Sequence, residues 1–407
     1  MFSSAGIPEL RLQRMNRLIQ RFMTPPNLIL SNLFGEDRWD SERIKWEGEQ
    51  GERGVSPFAA EDAPAPVTSG QGVSSHEARA AFWKEKEFLS ATQINNLREP
   101  GNEATYYTAQ KQFARMMMKL ENRNKRRKEW MHAQMLSNNG FNYMNNAGER
   151  IAINYGVPAA NRVVLGANQF WGTPGANIVQ DFFDFKLMAE NQGIVIDHVL
   201  ITTEILQLMV MDPTIQTLLA KSNFGNGDLF ANPMPVLSAL LGLPQGGFIN
   251  YNEMFQVKAY LTGALPAGAG PHTFTVDDTR DLTIGDIGRV NRPRQRTWEA
   301  LTITGINHAT STITATGALT NAYVAQEHFF TVTKKFLPTN MVCMFASKID
   351  GQKTAEFALA PFSLNRHWGV YVDTKDVWDP DGTYVRCQNK GLPILYFEDA
   401  IFTLQVN

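Results

Sequence analysis

Apolar residues recur at the spacing of an α-helix through the middle of the chain. The longest such pattern covers residues 103–137, and polar Asn124 and Arg127 interrupt its apolar stripe at mid-length. The stripe itself consists of Phe113, Met117, Leu120, Met131 and Met135. Asn139-Gly140 follows, and these residue types commonly end helices in the left-handed conformation. We therefore predict a long helix over residues 103–137 whose middle is partly exposed and does not pack in an ordinary core.

Alternating polar and apolar residues predict a long β-hairpin before this helix. The alternation covers residues 43–47 and part of residues 80–86, and the sequence between them is rich in Pro, Gly and Ser. A two-stranded hairpin of this length has little core of its own. We therefore expect another surface to hold its shape.

Short apolar runs separated by Gly, Asp and Asn turns predict a small all-β module over residues 262–328. Its expected core residues include Phe274, Val276, Leu282, Ile284, Ile287, Trp298, Leu301, Ile303, Ile306 and Ile313. Outside the module, helices are predicted over residues 8–23, 174–192, 203–211 and 214–220, and strands over residues 150–158, 194–201, 340–347, 369–372 and 392–406. The expected fold class is α+β, with the module interrupting an α+β domain.

Composition excludes several classes of protein. The 407 residues are 43% hydrophobic and 11% aromatic, which suits a large core and excludes a disordered, collagen-like or coiled-coil chain. Two cysteines are too few for a disulfide framework, so a reducing cytosol is the default compartment. The longest apolar stretches fall short of the roughly 20 residues that span a bilayer, so we expect no membrane partner. Residues 1–6 lack the basic-then-apolar order of a signal peptide.

The formal charge of −2 argues against wholesale attraction to nucleic acid, but two local charge clusters stand out. Nine acidic and four basic residues over residues 36–62 leave a local charge of −5, whereas residues 115–128 carry +6. The acidic cluster, here called the acidic arm, includes Glu42, Glu47, Glu49 and Glu52. The basic surface comprises Arg115, Lys119, Arg123, Lys125, Arg126, Arg127 and Lys128.

Three interpretations of the basic surface stay open: a solvated helix face, a nucleic-acid surface, or a contact for an acidic partner. No aromatic residue is interleaved between positions 115 and 128, as stacking on single strands requires, and no helix-turn-helix pattern follows. Sequence-specific recognition of nucleic acid is therefore not expected.

The usual signatures of catalysis and of cofactor or metal binding are absent from the sequence. It contains no Walker phosphate loop, no Gly-x-Gly-x-x-Gly, no Gly-x-Ser-x-Gly and no His-Glu-x-x-His. The seven histidines are scattered without metal-ligand spacing, and Asp277, Asp278, Asp281 and Asp286 lack the pattern of a calcium loop. We expect no catalytic residue, cofactor or metal, and no enzymatic activity.

Four local strings resemble the major capsid proteins of tailed phages, specifically the lambda-like protein E family with the Hong Kong 97-type fold. The strings are RNKRRKEW at residues 123–130, INYGVP at 153–158, WGTPGANIVQD at 171–181 and FLP at 336–338. The resemblance covers roughly residues 28–258 and 333–407. None of the strings is diagnostic alone, so their order and spacing carry the resemblance.

The resemblance implies a domain map. It places an N-terminal arm at residues 1–38, an extended E loop at 39–90, and a spine helix with peripheral and axial segments at 91–261. Residues 262–328 depart from the family pattern and are interpreted as an inserted β domain. Residues 329–407 complete the peripheral and axial domains.

The implied function is that of a major capsid protein. Copies would assemble as hexamers and pentamers into an icosahedral shell around double-stranded DNA, contacted without sequence preference. Scaffolding, portal and decoration proteins are further expected partners. The expected location is the virion capsid, with assembly in the host cytoplasm. Two alternatives stay open: a cellular compartment shell of the same fold, and a DNA-associated enzyme with an unrecognised site.

Overall fold

The computed structural model describes residues 10–21, 25, 27–49, 55–56, 58, 73–96, 103–144, 150–221, 226–291 and 298–406. Helices and strands are mixed along the chain, which confirms the α+β class. The chain divides into two compact units. The main unit comprises Met1–Phe141, Ile153–Tyr251 and Thr339–Asn407, and the barrel unit comprises Asn142–Ala152 and Asn252–Pro338.

The helices and strands of the described residues are numbered separately in chain order. The helices are α1 (Leu12–Arg21), α2 (Ile29–Phe34), α3 (Ala91–Asn96), α4 (Glu103–Asn138), α5 (Ile178–Asn191), α6 (Thr203–Met211), α7 (Pro213–Ala220), α8 (Asn226–Ala231) and α9 (Pro233–Leu240). The first eleven strands are β1 (Glu36–Arg38), β2 (Arg43–Gly48), β3 (Ser74–Arg79), β4 (Ala81–Ser90), β5 (Gly140–Met144), β6 (Arg150–Asn154), β7 (Arg162–Val164), β8 (His198–Ile201), β9 (Phe248–Asn250), β10 (Met254–Tyr260) and β11 (His272–Thr275). The remaining strands are β12 (Ile287–Asn291), β13 (Glu299–Asn307), β14 (Thr312–Thr316), β15 (Phe329–Lys335), β16 (Met341–Phe345), β17 (Lys348–Ile349), β18 (Gln352–Lys353), β19 (Ala355–Leu359), β20 (Tyr371–Trp378), β21 (Asp381–Leu395) and β22 (Ile401–Gln405).

The long helix α4 packs against the first sheet of the main unit. In this sheet the strands follow the order β1-β19-β21-β20, and β4 pairs along β21 as well. Residues of α1, α3 and α4 form an apolar cluster with Val372, Val385 and Cys387 of β20 and β21. The predicted stripe residues Phe113, Met117, Leu120, Met131 and Met135 are all buried, as expected from their spacing.

The second sheet of the main unit has the strand order β7-β22-β16-β8-β9. Helices α5 to α9 contribute to the core on this sheet, and α5 buries Ile178, Phe182 and Phe185 at helical spacing. The predicted break at Asp212-Pro213 is confirmed, because the Asp212 carboxylate accepts hydrogen bonds from the first turn of α7 and Pro213 occupies its first position.

The barrel unit contains a six-stranded antiparallel sheet in the order β10-β15-β12-β13-β14-β11. An isolated bridge between Leu261 and Val276 links its two edge strands, so the sheet closes into a barrel at that end. Alternate residues fill the interior, among them Phe274, Val290 and Phe330, which are no more than 3% exposed. Strand β12 was not predicted, since Gly288 and Arg289 interrupt its short apolar pattern.

Three expected core residues of the module instead lie at the surface. Ile284, Ile287 and Trp298 are 67%, 64% and 47% exposed, respectively. Ile287 alternates with Gly288 on a strand whose inner positions are Gly288 and Val290, so its side chain lies on the outer face.

The predicted hairpin has a different second strand. Strand β2 pairs with β3, from Arg43 opposite Arg79 to Gly48 opposite Ser74, whereas residues 81–86 belong to β4 and pair with β21. Both segments carry alternating residues, and alternation does not specify the partner strand. The tip of the hairpin, including Glu52, lies outside the described residues.

Candidate assembly surfaces

Helix α4 carries the whole basic surface, but its seven residues lie in different environments. Arg115, Lys119, Arg123 and Arg126 are exposed, Lys125 and Arg127 are partly buried, and Lys128 is buried. The Arg127 guanidinium lies over the Trp130 ring, 5.1 Å from its centroid. Residues three or four apart lie on the same face of a helix, and residues at other spacings lie on different faces. Some of these cations therefore face outward and others inward.

Acidic residues of the same chain pair with much of the basic surface. Arg123 lies 3.1 Å from Glu85, and Lys119 lies 3.5 Å from Glu87. Both carboxylates belong to β4, where alternate residues project towards the helix. Lys125 pairs with Glu121 one turn earlier, at 2.8 Å.

Lys128 forms an ion pair with Glu36 of the acidic arm and lies 5.1 Å from the centroid of the Phe357 ring. Burial lowers the pKa of this ammonium group, while the Glu36 carboxylate opposes that shift. The pair therefore connects the start of β1 to the long helix within one chain.

The middle of α4 is partly exposed at Arg123 and Arg126, as predicted, but its other face is packed, contrary to the prediction from its polar residues. Asn124 is only 4% exposed, and its amide oxygen accepts a hydrogen bond of 2.5 Å from the Trp83 indole nitrogen. Its amide nitrogen lies 3.3 Å from the Cys387 sulfur. Burial is the main cause that raises the pKa of this thiol to about 12. Asn124 interrupts the stripe because its amide group faces polar atoms of β4 and β21.

Glu129 is a buried anchoring residue that the sequence analysis did not identify. Its carboxylate is fully buried and accepts hydrogen bonds from the Leu30 and Ser31 backbone nitrogens, the Ser31 hydroxyl and the Tyr251 hydroxyl, at 2.6–3.0 Å. Burial raises its pKa, although all four bonds favour the charged form. The bonds hold the first turn of α2 against α4.

His132 lies one turn further along α4 and is also fully buried. Its ring stacks on Phe34 at 5.4 Å and contacts the edge of Phe357, and among the described residues neither ring nitrogen has a hydrogen-bond partner. Burial lowers its pKa to about 3, so the imidazole is neutral near pH 7. The neutral ring acts as an aromatic packing element.

The acidic arm divides in the same way into paired and open residues. The Glu42 carboxylate contacts the Arg79 guanidinium at 2.8 Å and the Lys390 ammonium at 3.0 Å, and these bonds lower its pKa. Glu47 and Glu49 are exposed on β2 and the position after it. The structure thus leaves two of the predicted acidic residues facing solvent.

A second carboxylate, Glu398, lies just before β22 and anchors the β2–β3 hairpin within the main unit. It bonds to the Ser74 hydroxyl and lies 2.5 Å from the His76 ring, which stacks on the buried Trp46. A methyl group added at Gly48 would lie 2.4 Å from an oxygen of this carboxylate, so the Glu398 side chain would have to move to admit it. Sequence distance hid this contact, because residue 398 is more than 300 positions away.

The described residues offer no cluster of three or more His, Cys, Asp or Glu that suits a metal ion. Both cysteines are free and buried. Within the same part of the chain, no helix is both long and apolar enough to cross a membrane. The described charged side chains form ion pairs and buried hydrogen-bonded anchors, and others stay exposed on strands.

The comparison with known families identifies the class of protein. Residues 12–258 match the family model described as phage major capsid protein E, which is more than half of the chain. The chain belongs to this family, and it is a major capsid protein that associates with itself into the shell of the virion. The family is one of structural proteins.

Solved structures with a similar fold cover nearly the whole chain at low identity. A putative prophage capsid protein of E. coli CFT073 is 12% identical with a TM-score of 0.47, covering 97% of this chain and 96% of that one. A phage-related protein of Bordetella bronchiseptica RB50 is 9% identical with a TM-score of 0.46, covering 96% and 95%. A virus-like particle from Pyrococcus furiosus is 9% identical with a TM-score of 0.44, covering 98% and 99%. No curated protein sequence matches the chain. We base the assignment on the family match.

Proposed function

We propose that the chain builds an icosahedral shell from hexamers and pentamers around packaged double-stranded DNA. The family match over residues 12–258 carries this proposal. The β2–β3 hairpin supports it, because the hairpin has two strands of six residues and is held by anchors outside itself. In this proposal shells form in the host cytoplasm, with scaffolding, portal and decoration proteins as partners.

The proposed domain map assigns structural roles to the observed elements. The N-terminal arm is residues 1–38, the E loop is residues 39–90, and α4 is the spine helix within residues 91–261. Residues 262–328 are the inserted β domain, and residues 329–407 complete the peripheral and axial domains. The antiparallel pairing of β10 with β15 supports an insertion, since the chain leaves and returns on neighbouring strands.

Electron microscopy of the expressed chain tests the proposal. We expect closed shells of uniform diameter with five-fold and six-fold clusters of subunits, alone or with the neighbouring genes co-expressed. Open sheets, small fixed oligomers or monomers under both conditions would contradict it. A particle that encloses protein but never DNA, when the packaging genes are present, would favour the compartment shell instead.

We further propose that the exposed residues of the basic surface, Arg115, Lys119, Arg123 and Arg126, contact packaged DNA or a neighbouring subunit. Lys128 is excluded from this role because it is buried against Glu36. The reversal R115E/R126E distinguishes the two partners. Normal particle yield with reduced DNA content indicates DNA, and reduced yield of empty shells indicates a neighbour. Unchanged yield and DNA content would leave only a solvated face.

A further inference from the structure

The outward face of strands β10, β12 and β15 carries the cations Lys258 and Arg289 and no acidic residue among its described positions. Lys258 on β10 and Arg289 on β12 both lie directly beside Thr331 of the strand between them. The outward positions of β10, β12 and β15 are Met254, Gln256, Lys258, Tyr260, Ile287, Arg289, Asn291, Phe329, Thr331, Thr333 and Lys335. None of these is acidic.

Exposed apolar side chains surround the two cations. Met254, Tyr260 and Ile287 are 44%, 48% and 64% exposed, and Trp298 lies under the Arg289 guanidinium at 4.0 Å. Lys258 lies over the Phe329 ring. In the part of the chain that the structure describes, no carboxylate pairs with either cation. A basic centre with an apolar rim, here called the barrel patch, is typical of a surface that another protein covers.

The β2–β3 hairpin carries the opposite combination. Ile44 and Trp46 are buried on one face of β2, and the other face presents Arg43, Lys45 and Glu47, followed by Glu49. Glu77 lies 3.2 Å from both Arg43 and Lys45 and compensates them. For Glu47 and Glu49, the described residues supply no basic partner.

Exposed apolar residues lie near these two acids in the sequence. Val55 and Phe58 follow the acids, Val73 precedes β3, and the three side chains are 90%, 108% and 51% exposed. The hairpin patch is defined as Glu47 and Glu49, whose charge is opposite to that of the barrel patch.

The spacing of the charges is also compatible. Glu47 lies on β2 and Glu49 directly follows its last residue, so the two are about 7 Å apart in extended chain, and Lys258 and Arg289 lie two strands apart, or about 10 Å. Lysine and arginine have long side chains that can close a difference of this size.

We propose that the barrel patch of one copy binds the hairpin patch of a second copy, with Lys258 and Arg289 paired to Glu47 and Glu49. This inference rests on the proposed shell and names one contact within it. Because one copy would supply its barrel and another its hairpin, the interface is head-to-tail, and such interfaces build rings and closed shells.

Charge reversal with complementation between chains tests the proposal. The barrel variant is K258E/R289E and the hairpin variant is E47K/E49K. Each variant alone places like charges in every contact, and we expect particle yield to fall about tenfold at roughly physiological salt. Co-expression of the two variants pairs opposite charges between copies, so yield should recover. The chain with all four substitutions should recover as well.

Several results would overturn the inference. If the barrel variant and the hairpin variant each give the wild-type yield of particles, the two patches do not meet. Recovery in the four-substitution chain without recovery on co-expression would place the contact within one chain. Particles of the barrel variant that form in normal yield but contain less DNA, together with normal particles from the hairpin variant, would assign the barrel cations to nucleic acid.

Controls separate the inference from folding and from the proposed function. The reversal K348E/K375E changes total charge equally at exposed lysines outside both patches and should assemble normally. The neutral variant K258Q/R289Q should give intermediate yield, and thermal unfolding of each soluble subunit checks its fold. Failure of the wild-type chain to form shells would reject the proposed function itself, whereas normal shells from every variant would reject only this contact.

Discussion

The long helix and the barrel place their charged residues in opposite ways. Helix α4 buries Lys128, Glu129 and His132 against its own chain, whereas the barrel buries an apolar interior and leaves Lys258 and Arg289 on its outer face. A buried charge costs free energy unless each partner is present. The position of the helix therefore depends on a few buried polar contacts, and the loss of one lowers stability strongly. The barrel depends on apolar packing and tolerates substitutions on its outer face.

The largest expected effect is the loss of the Glu129 anchor. In Glu129→Ala, two backbone nitrogens and the Tyr251 hydroxyl lose their acceptor in a buried site. We expect the free energy of unfolding of the soluble subunit to fall by about 3–5 kcal/mol, measured by urea denaturation. Glu129→Gln retains one acceptor oxygen and should lose less. Equal stability of the Ala variant and wild type would show that α2 is held by other contacts.

The next largest effect is a pH dependence from His132. The pKa of His132 is about 3 in the folded chain and near 6.5 in the unfolded chain, so between these values the unfolded state binds more protons. Stability should therefore fall as pH falls from 6.5 towards 3, by up to about 1.4 kcal/mol per pH unit.

His132→Phe should flatten this slope, as measured by urea denaturation at pH 7, 6 and 5. The buried residue Met135 on the same helix provides the control, and Met135→Leu should keep the wild-type slope. An identical slope in His132→Phe would mean that other groups cause the acid sensitivity.

The barrel should respond to packing and not to charge. A methyl group at Gly288 would lie 1.9 Å from the Phe330 ring, whereas one at Gly305 would meet Thr314 at an ordinary 3.6 Å. We expect Gly288→Ala to lower the melting temperature of the subunit, at a cost of about 1–3 kcal/mol. Gly305→Ala should cost much less. Equal effects of the two substitutions would contradict the packing argument.

The smallest expected effect concerns the exposed pair of Lys119 and Glu87. Its side chains are 60% and 35% exposed, and their charged atoms are 3.5 Å apart. A double-mutant cycle with Lys119→Ala and Glu87→Ala should give a coupling below about 1 kcal/mol, decreasing with salt. A coupling as large as the Glu129 effect would remove the distinction between buried and exposed charges on α4.

Local patterns in the sequence were enough to predict most helices. The stripe of α4, the apolar face of α5 and the Asp212-Pro213 start of α7 each depend on residues within a few positions, so the spacing predicts them. The α+β class follows from the same patterns. The exposed position of Glu47 also follows from alternation, because every second residue of β2 lies on one face.

Contacts between distant segments determine the features of the fold that local patterns did not predict. Strand β2 pairs with β3 and not with residues 80–86, Asn124 lies inside the protein beside Trp83, and Glu398 reaches Ser74 across more than 300 residues. Alternation or helical spacing indicates which residues share a face. The surface that packs against this face comes from elsewhere in the chain. A polar residue is buried when that surface offers it a hydrogen bond, and only the tertiary structure supplies the partner.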